Sequence, residues 1–321
     1  MAARSPTQEK AVTWAGLSHL IVVYLIWGST YLAIRLTVRE QAGFPPFTVV
    51  AMRVVTAGVL LMLWSAAARL KLRIRRDELI TLAGSGILLW LGGNGLVTWG
   101  EQRADSGYAA LLIGASPIWV ALIESLLDRK IPSPLLIGSL VVGFGGIALL
   151  SVPVLREATP ADSLSVLALI LAALCWSSGT VLQSRRPVTA PSRVSSGYQH
   201  LFGGAALILV ALARGEPAPD PSPEAWWALA YLIVFGSIIA FTSFVQALRL
   251  LPTPVVMTYA YVNPVIAVVL GFFILGEPIT TWTLAGAPLV FLGVAGVFRE
   301  RSRRARAPAP RKLPVVGETG G

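Results

Sequence analysis

The chain predicts an all-α integral membrane protein of ten transmembrane helices arranged as two inverted five-helix repeats. Three observations lead there. Apolar runs of about 20 residues recur from residue 17 to residue 298, each long enough to cross a hydrocarbon core of roughly 30 Å as a helix. Only 13% of the 321 residues are charged, about half the share usual in a soluble domain, and the mean hydropathy is +0.70. Motifs of the first half also return in the second, at an offset of about 148 residues.

In chain order, residues 1–16 read as a polar tail without a small-residue cleavage pattern after a short apolar core, so the first span, 17–37, is expected to be retained. That span carries "YLIWGSTYLAIR" and ends near Arg35. The breaker FPP at 44–46 opens the second span, 46–67, which holds Arg53 about two turns in. A third span, 78–100, closes on "GGNGLVTWGEQ", and a fourth, 107–127, contains "ASPIWVAL" and Glu124 ahead of Asp128, Arg129 and Lys130. PSP at 132–134 leads into the fifth, 134–152. The second half supplies spans at 164–184, 195–213, 225–247, 254–275 and 280–298, with the breaker EPAPDPSPE at 216–224. Two repeats follow, 17–152 and 164–298. Residues 299–321, rich in Arg, Ala and Pro, read as a basic disordered cytoplasmic tail able to touch anionic lipid.

Most of the 26 Lys and Arg residues fall on one side of this arrangement. With the N-terminus inside, the outer connections hold only Arg35, Arg39, Arg103, Arg156 and Arg214, and Arg53 lies within a span. The positive-inside rule then places both termini in the cytoplasm and the chain, multi-pass, in the cell (inner) membrane. The net charge of +10 is explained by orientation, and no nucleic-acid partner is expected.

"IWGSTYL" (26–32) is echoed by "CWSSGTV" (175–181), "ASPIWVAL" (115–122) by "VNPVIAVV" (262–269), and Gly138 and Gly145 by Gly286 and Gly293. Because five is odd, the second copy enters the membrane from the opposite side. Inverted repeats are a design of secondary transporters, with the site between the repeats near the midplane.

The polar residues within the spans are the candidate site. Trp27 and Trp176 supply aromatic walls, and the hydroxyls of Ser29 and Thr30 either orient a ligand or bond between helices. Arg53 is costly at its depth; it binds a carboxylate, closes an outer gate with Glu101, or snorkels. Its counterpart in the second repeat is His200. Asn94 and Trp99 belong to the glycine-rich third span. Pro117 and Pro264 bend the fourth and ninth spans at matching positions, beside Ser116 and Asn263, with Trp119, Tyr259 and Tyr261 as aromatic lining. Glu101, Glu124 and His200 are the coupling or gating candidates, Glu101 reading mainly as a solvated carboxylate at the interface. Glu277 reads as a helix-start cap in the last connection.

These motifs together resemble the EamA family of the drug/metabolite transporter superfamily. The resemblance covers about 20–298 and rests on "WGSTY", Arg53, "SGYAALLIGASPIWVAL" (106–122) and "YVNPVIAVVLGFFILGEPITTWTLAGAPLVFLGV" (261–294). It implies ten helices, an inverted pair of repeats and secondary export of small metabolites, amino acids or drugs. The first repeat departs from the pattern: "LLDRKIPSP" stands where a counterpart of Gly276–Glu277 is expected.

The reading is therefore a secondary transporter, not an enzyme, that exports a small organic solute by alternating access, with protons as a candidate coupling ion. An importer, a passive facilitator and a non-transporting scaffold or receptor are the alternatives. One cysteine and two histidines offer no disulfide framework and no metal site. No P-loop is present, and no cofactor is expected.

Overall fold

The computed structural model describes residues 12–129, 131, 133–157 and 160–306. The first part of the N-terminal tail, Lys130, the basic segment 307–321 and the Tyr261 side chain lie outside what is described. The apolar runs become α1 (Trp14–Val38), α2 (Pro46–Ala67), α3 (Arg76–Gly100), α4 (Ser106–Leu127), α5 (Pro134–Glu157), α6 (Pro160–Arg185), α7 (Ser192–Ala213), α8 (Pro223–Leu250), α9 (253–275) and α10 (Thr281–Arg306). Among the described residues, α1–α4 and α6–α8 make 7 helices long and apolar enough to cross a membrane. Shorter apolar helices occupy Pro134–Leu150, Val262–Leu275 and Thr281–Val297. Large apolar side chains such as Leu63, Leu209, Leu212 and Phe273 face outward, as expected where lipid is the solvent.

Helix starts follow local chemistry. Thr13 Oγ1 accepts from the Gly16 amide at 3.2 Å and Ser222 Oγ from that of Ala225 at 3.2 Å, and prolines occupy the first turns of α2 and α8. Helix α10 runs on to Arg306, where a disordered tail was expected from residue 299. The stretch RERSRRAR contains no Gly or Pro to stop a helix, and Arg and Ala sustain one.

Four helices depart from regular α geometry where they border the interior. Ile87–Gly95 in α3 and Leu232–Phe241 in α8 are π-helical, a form that recurs at functional sites because it re-aims side chains and loosens carbonyls. Helix α4 breaks at Gly114–Ala115, just before Pro117, and α9 breaks at Met257–Thr258, one and a half turns before Pro264. The two bends meet: a Cβ on Gly114 would stand 2.8 Å from Pro264 Cγ.

Small residues let helices approach. A Cβ on Gly293 would lie 2.5 Å from Gly143 Cα, and one on Gly286 3.0 Å from the Gly146 carbonyl, so α5 and α10 cross almost backbone to backbone. Gly138 and Gly145, the sequence counterparts of Gly286 and Gly293, meet nothing within 4 Å. The echo marks common descent of sequence and not contact. Gly28 serves the α1–α9 approach, where a Cβ would meet Ile266 Cβ at 2.7 Å.

Carboxylates from one half hold helix starts of the other. Glu216, after α7, accepts from Phe47 N (3.0 Å), Thr48 N (2.7 Å) and Thr48 Oγ1 (2.7 Å) at the start of α2. At the opposite end Glu78 of α3 accepts from Thr189 N and Oγ1, both at 2.7 Å, ahead of α7. Glu277 accepts from Ser106 N (2.9 Å), Ser106 Oγ (2.8 Å) and Gly107 N (3.1 Å). It caps the start of α4, across the bundle, and not the helix that follows it. Free amides and the helix dipole both favour a negative charge at such a start.

Removing the Glu216 carboxylate strands the first amides of α2. Glu216→Ala is expected to destabilise the fold by about 2 kcal/mol, with Glu216→Gln losing less. Thermal unfolding in detergent reads this directly, and an unchanged midpoint in the alanine variant would remove the clamp from the account.

Candidate functional site

A narrow cavity of about 50 Å³ lies between α1, α2, α3, α4, α6 and α9, smaller than a small-molecule site, so a solute enters only where these walls part. Helix α1 presents Trp27, Thr30, Tyr31 and Ile34, and α3 presents Trp90, Gly93, Asn94 and Val97. Both sets follow the i, i+3, i+4, i+7 spacing of one helix face. Arg53 of α2, Ile113 of α4, Ala172 and Trp176 of α6, and Tyr259 and Asn263 of α9 complete the wall.

The two echoed tryptophans meet edge to face. Trp27 and Trp176 have ring centroids 5.3 Å apart at 79°, and Trp27 stands likewise to Tyr259 at 5.4 Å and 88°. Each indole N–H is used: Trp176 Nε1 donates to Tyr259 Oη at 2.9 Å, and Trp27 Nε1 to the Gly236 carbonyl at 3.2 Å. Gly236 sits in the π segment of α8.

Arg53 is only 3% exposed. Its Nε donates to Ser237 Oγ at 2.8 Å and its Nη1 to Asn94 Oδ1 at 3.0 Å. Its Cζ lies 5.3 Å from the Trp90 ring centroid, within cation–π range. Both hydrogen-bond partners come from π segments, one in α3 and one in α8. Among the described residues no carboxylate reaches ion-pair distance of Arg53. On this wall Asn263 Oδ1 is buried with no hydrogen-bond partner, and so is Trp90 Nε1.

The outer gate expected between Arg53 and Glu101 is not formed. Arg35 of α1 donates instead to the backbone carbonyl of Glu101. Glu101 follows the last residue of α3 and is 0% exposed, so the expectation of a solvated carboxylate is corrected. Burial pushes its carboxyl well above the usual range; Arg35 opposes that, Glu277 adds to it, and Arg53 opposes it more weakly.

Of the sequence candidates, Trp27, Thr30, Arg53, Asn94, Trp176, Tyr259 and Asn263 share the cavity wall. The others lie off it. Ser29 Oγ contacts the Ile26 carbonyl (2.7 Å) and Tyr231 Oη (2.6 Å), joining α1 to α8. Ser116 Oγ donates to the Ile113 carbonyl at 2.6 Å at the α4 break. Trp119 packs on Phe144 at 4.9 Å, and Trp99 packs against the core. His200 has Nδ1 2.7 Å from the Ser196 carbonyl and a ring between Trp90 (4.3 Å) and Phe241 (4.8 Å). Glu124 is half-buried outside the wall. Trp90, Tyr31 and Ser237 were not singled out in the sequence. Trp90 stands four residues before Asn94 and Tyr31 four after Trp27, a spacing that puts each on the right face. No sequence signal marks Ser237.

The arrangement offers one fixed cation, aromatic surface and a spare acceptor. Chemically, these groups complement a negative charge and an apolar surface. Ser29→Ala should cost about 1 kcal/mol of stability through the lost Tyr231 contact, read by thermal unfolding, while ligand-induced tryptophan quenching stays at the parental level. Altered quenching at parental stability would return Ser29 to the site.

A model of the EamA-like transporter family matches residues 14–152 and again 163–299. The inner membrane transporter YedA of Escherichia coli (strain K12) is 32% identical over 264 residues, covering 81% of this chain and 83% of YedA. The transporter YoaV of Bacillus subtilis (strain 168) is 26% identical over 278 residues, covering 86% of this chain and 94% of YoaV. A crystal structure 21% identical in sequence superposes with a TM-score of 0.66 over 92% of this chain and 100% of the other, a likeness of fold.

Proposed function

Because the chain belongs to the EamA-like transporter family, we propose that it is a secondary transporter that exports a small organic solute with an anionic group by alternating access through the Arg53 cavity. The observation that carries this reading is a buried guanidinium without a carboxylate partner on the wall of an aromatic cavity. A solute carboxylate completes the charge that the protein leaves open. The faces of Trp27, Trp176 and Tyr259 take its apolar body, and Asn263 Oδ1 accepts a donor from it.

Two inverted five-helix units support the alternation. The family model matches twice along the chain, and both matched stretches contribute to the cavity wall. Clamps at opposite ends then break in turn: Glu216 and Glu277 at one, Glu78 at the other. The positive-inside pattern puts the Glu78 end and both termini in the cytoplasm. Outward transport is the direction that the family resemblance implies.

Counterflow in liposomes tests the reading with aromatic and aliphatic carboxylates, their neutral amides, amino acids and cationic drugs. Carboxylates should move and their amides should not. Arg53→Gln should lower that flux by about 100-fold, the worth of a charge-assisted pair, and Trp27→Ala by about tenfold. Transport of cationic drugs with an unaffected Arg53→Gln variant would overturn the solute class.

A further inference from the structure

Glu101 is 0% exposed, and both its carboxylate oxygens are buried with no hydrogen-bond partner. A buried carboxylate without donors costs several kcal/mol in its ionised form, so the neutral acid is the form that fits here. Its place along α3 is informative. Trp90, Asn94 and Val97 line the cavity, and Glu101 comes one turn after Val97 on the same face. On α1, Arg35 comes one turn after Tyr31 of the wall. Arg35 bonds the Glu101 carbonyl and also lines the open vestibule at that end of the bundle, with Arg39, Arg103 and Glu224. Glu101 therefore stands between the cavity and the vestibule.

We propose that Glu101 is the proton-binding site of this transporter, and that a proton on Glu101 and an anionic group on Arg53 are bound together. The proposal rests on the transport reading above. The groups facing Glu101 are Tyr31 and Arg35 from α1, Arg53 from α2 and Glu277 from the α9–α10 connection. Asp105, before α4, answers to the same Glu277 and Arg35. From α6 the nearest polar neighbour of this helix end is the Ser165 carbonyl beside Gly100. Arg35 is committed to the backbone carbonyl of Glu101, and Glu277 to the amides of α4. Arg53 is the charge that a solute can cancel.

The sign follows. An ionised Glu101 draws on the field of Arg53 and so competes with the solute anion. An anion on Arg53 removes that cationic field and adds a negative one, so Glu101 holds its proton to higher pH and, where it was ionised, takes one up from vestibule water past Arg35. Linkage makes the effect reciprocal. The loaded cavity carries no net added charge, which lowers the cost of moving it through a low-dielectric interior. His200 and Glu124, the other titratable candidates, lie off the wall.

The test uses purified full-length protein, with phenylacetate as probe and phenylacetamide as its neutral analogue. Infrared spectra at neutral pH should show a protonated carboxyl band that Glu101→Gln removes. Phenylacetate should quench tryptophan fluorescence, and above the pH at which Glu101 titrates its binding should be accompanied by proton uptake in lightly buffered solution, whereas phenylacetamide should cause no uptake. Above the Glu101 titration the apparent affinity should fall about tenfold per pH unit. Glu101→Gln should bind phenylacetate with neither proton uptake nor that pH dependence. A missing band, or binding without proton uptake above that titration in the wild type, overturns the proton site and leaves anion binding standing. If phenylacetate fails to quench while the band is present and lost in Glu101→Gln, the solute class fails and the proton site stands.

Discussion

One constraint organises the interior: a guanidinium has to be kept in a place that water reaches poorly. An isolated charge there is too costly to hold, so the chain surrounds Arg53 with two oxygen acceptors and an indole face. Asn94 and Ser237 reach it because α3 and α8 each widen into a π segment at that level. The same widening in α8 turns the Gly236 carbonyl toward Trp27. Loss of regular helix geometry in two places is thus the cost of one fixed cation beside the cavity.

The helix-end clamps solve a related problem at the rims. Each inward-bound helix start leaves free amides, and Glu216 and Glu277 satisfy them from the other half of the chain, while Glu78 holds Thr189 in the connection ahead of α7. Glu216 and Glu78 form a pair at opposite ends of the α2–α7 couple. Glu277 has no sequence counterpart at the Glu78 end, where Asp128 instead pairs with Arg185 at 2.8 Å, with both side chains over a third exposed. An exposed pair of that kind contributes little. The two ends of the bundle are therefore closed with unequal strength.

The apolar runs and the echoed motifs were legible in the sequence, since hydropathy and spacing are properties of contiguous residues. Arg53 stood out there too, as a charge deep in an apolar run, and it is buried on the cavity wall. The serines read less well. Ser29 and Thr30 are neighbours in one motif, yet a helix turn of about 100° per residue sends one toward Tyr231 and the other toward the cavity.

By itself the sequence determined a multi-pass helical protein of repeated design, and it named Trp27, Thr30, Arg53, Asn94, Trp176, Tyr259 and Asn263, which share one cavity wall. Only the tertiary structure decided that Trp90 and Tyr31 join them, that Ser237 holds Arg53, and that Glu101 is buried between cavity and vestibule. The physical reason is one of range. Burial and hydrogen bonding at each of these positions depend on helices far apart in the chain, and on the π segments and breaks that set how each helix is rotated.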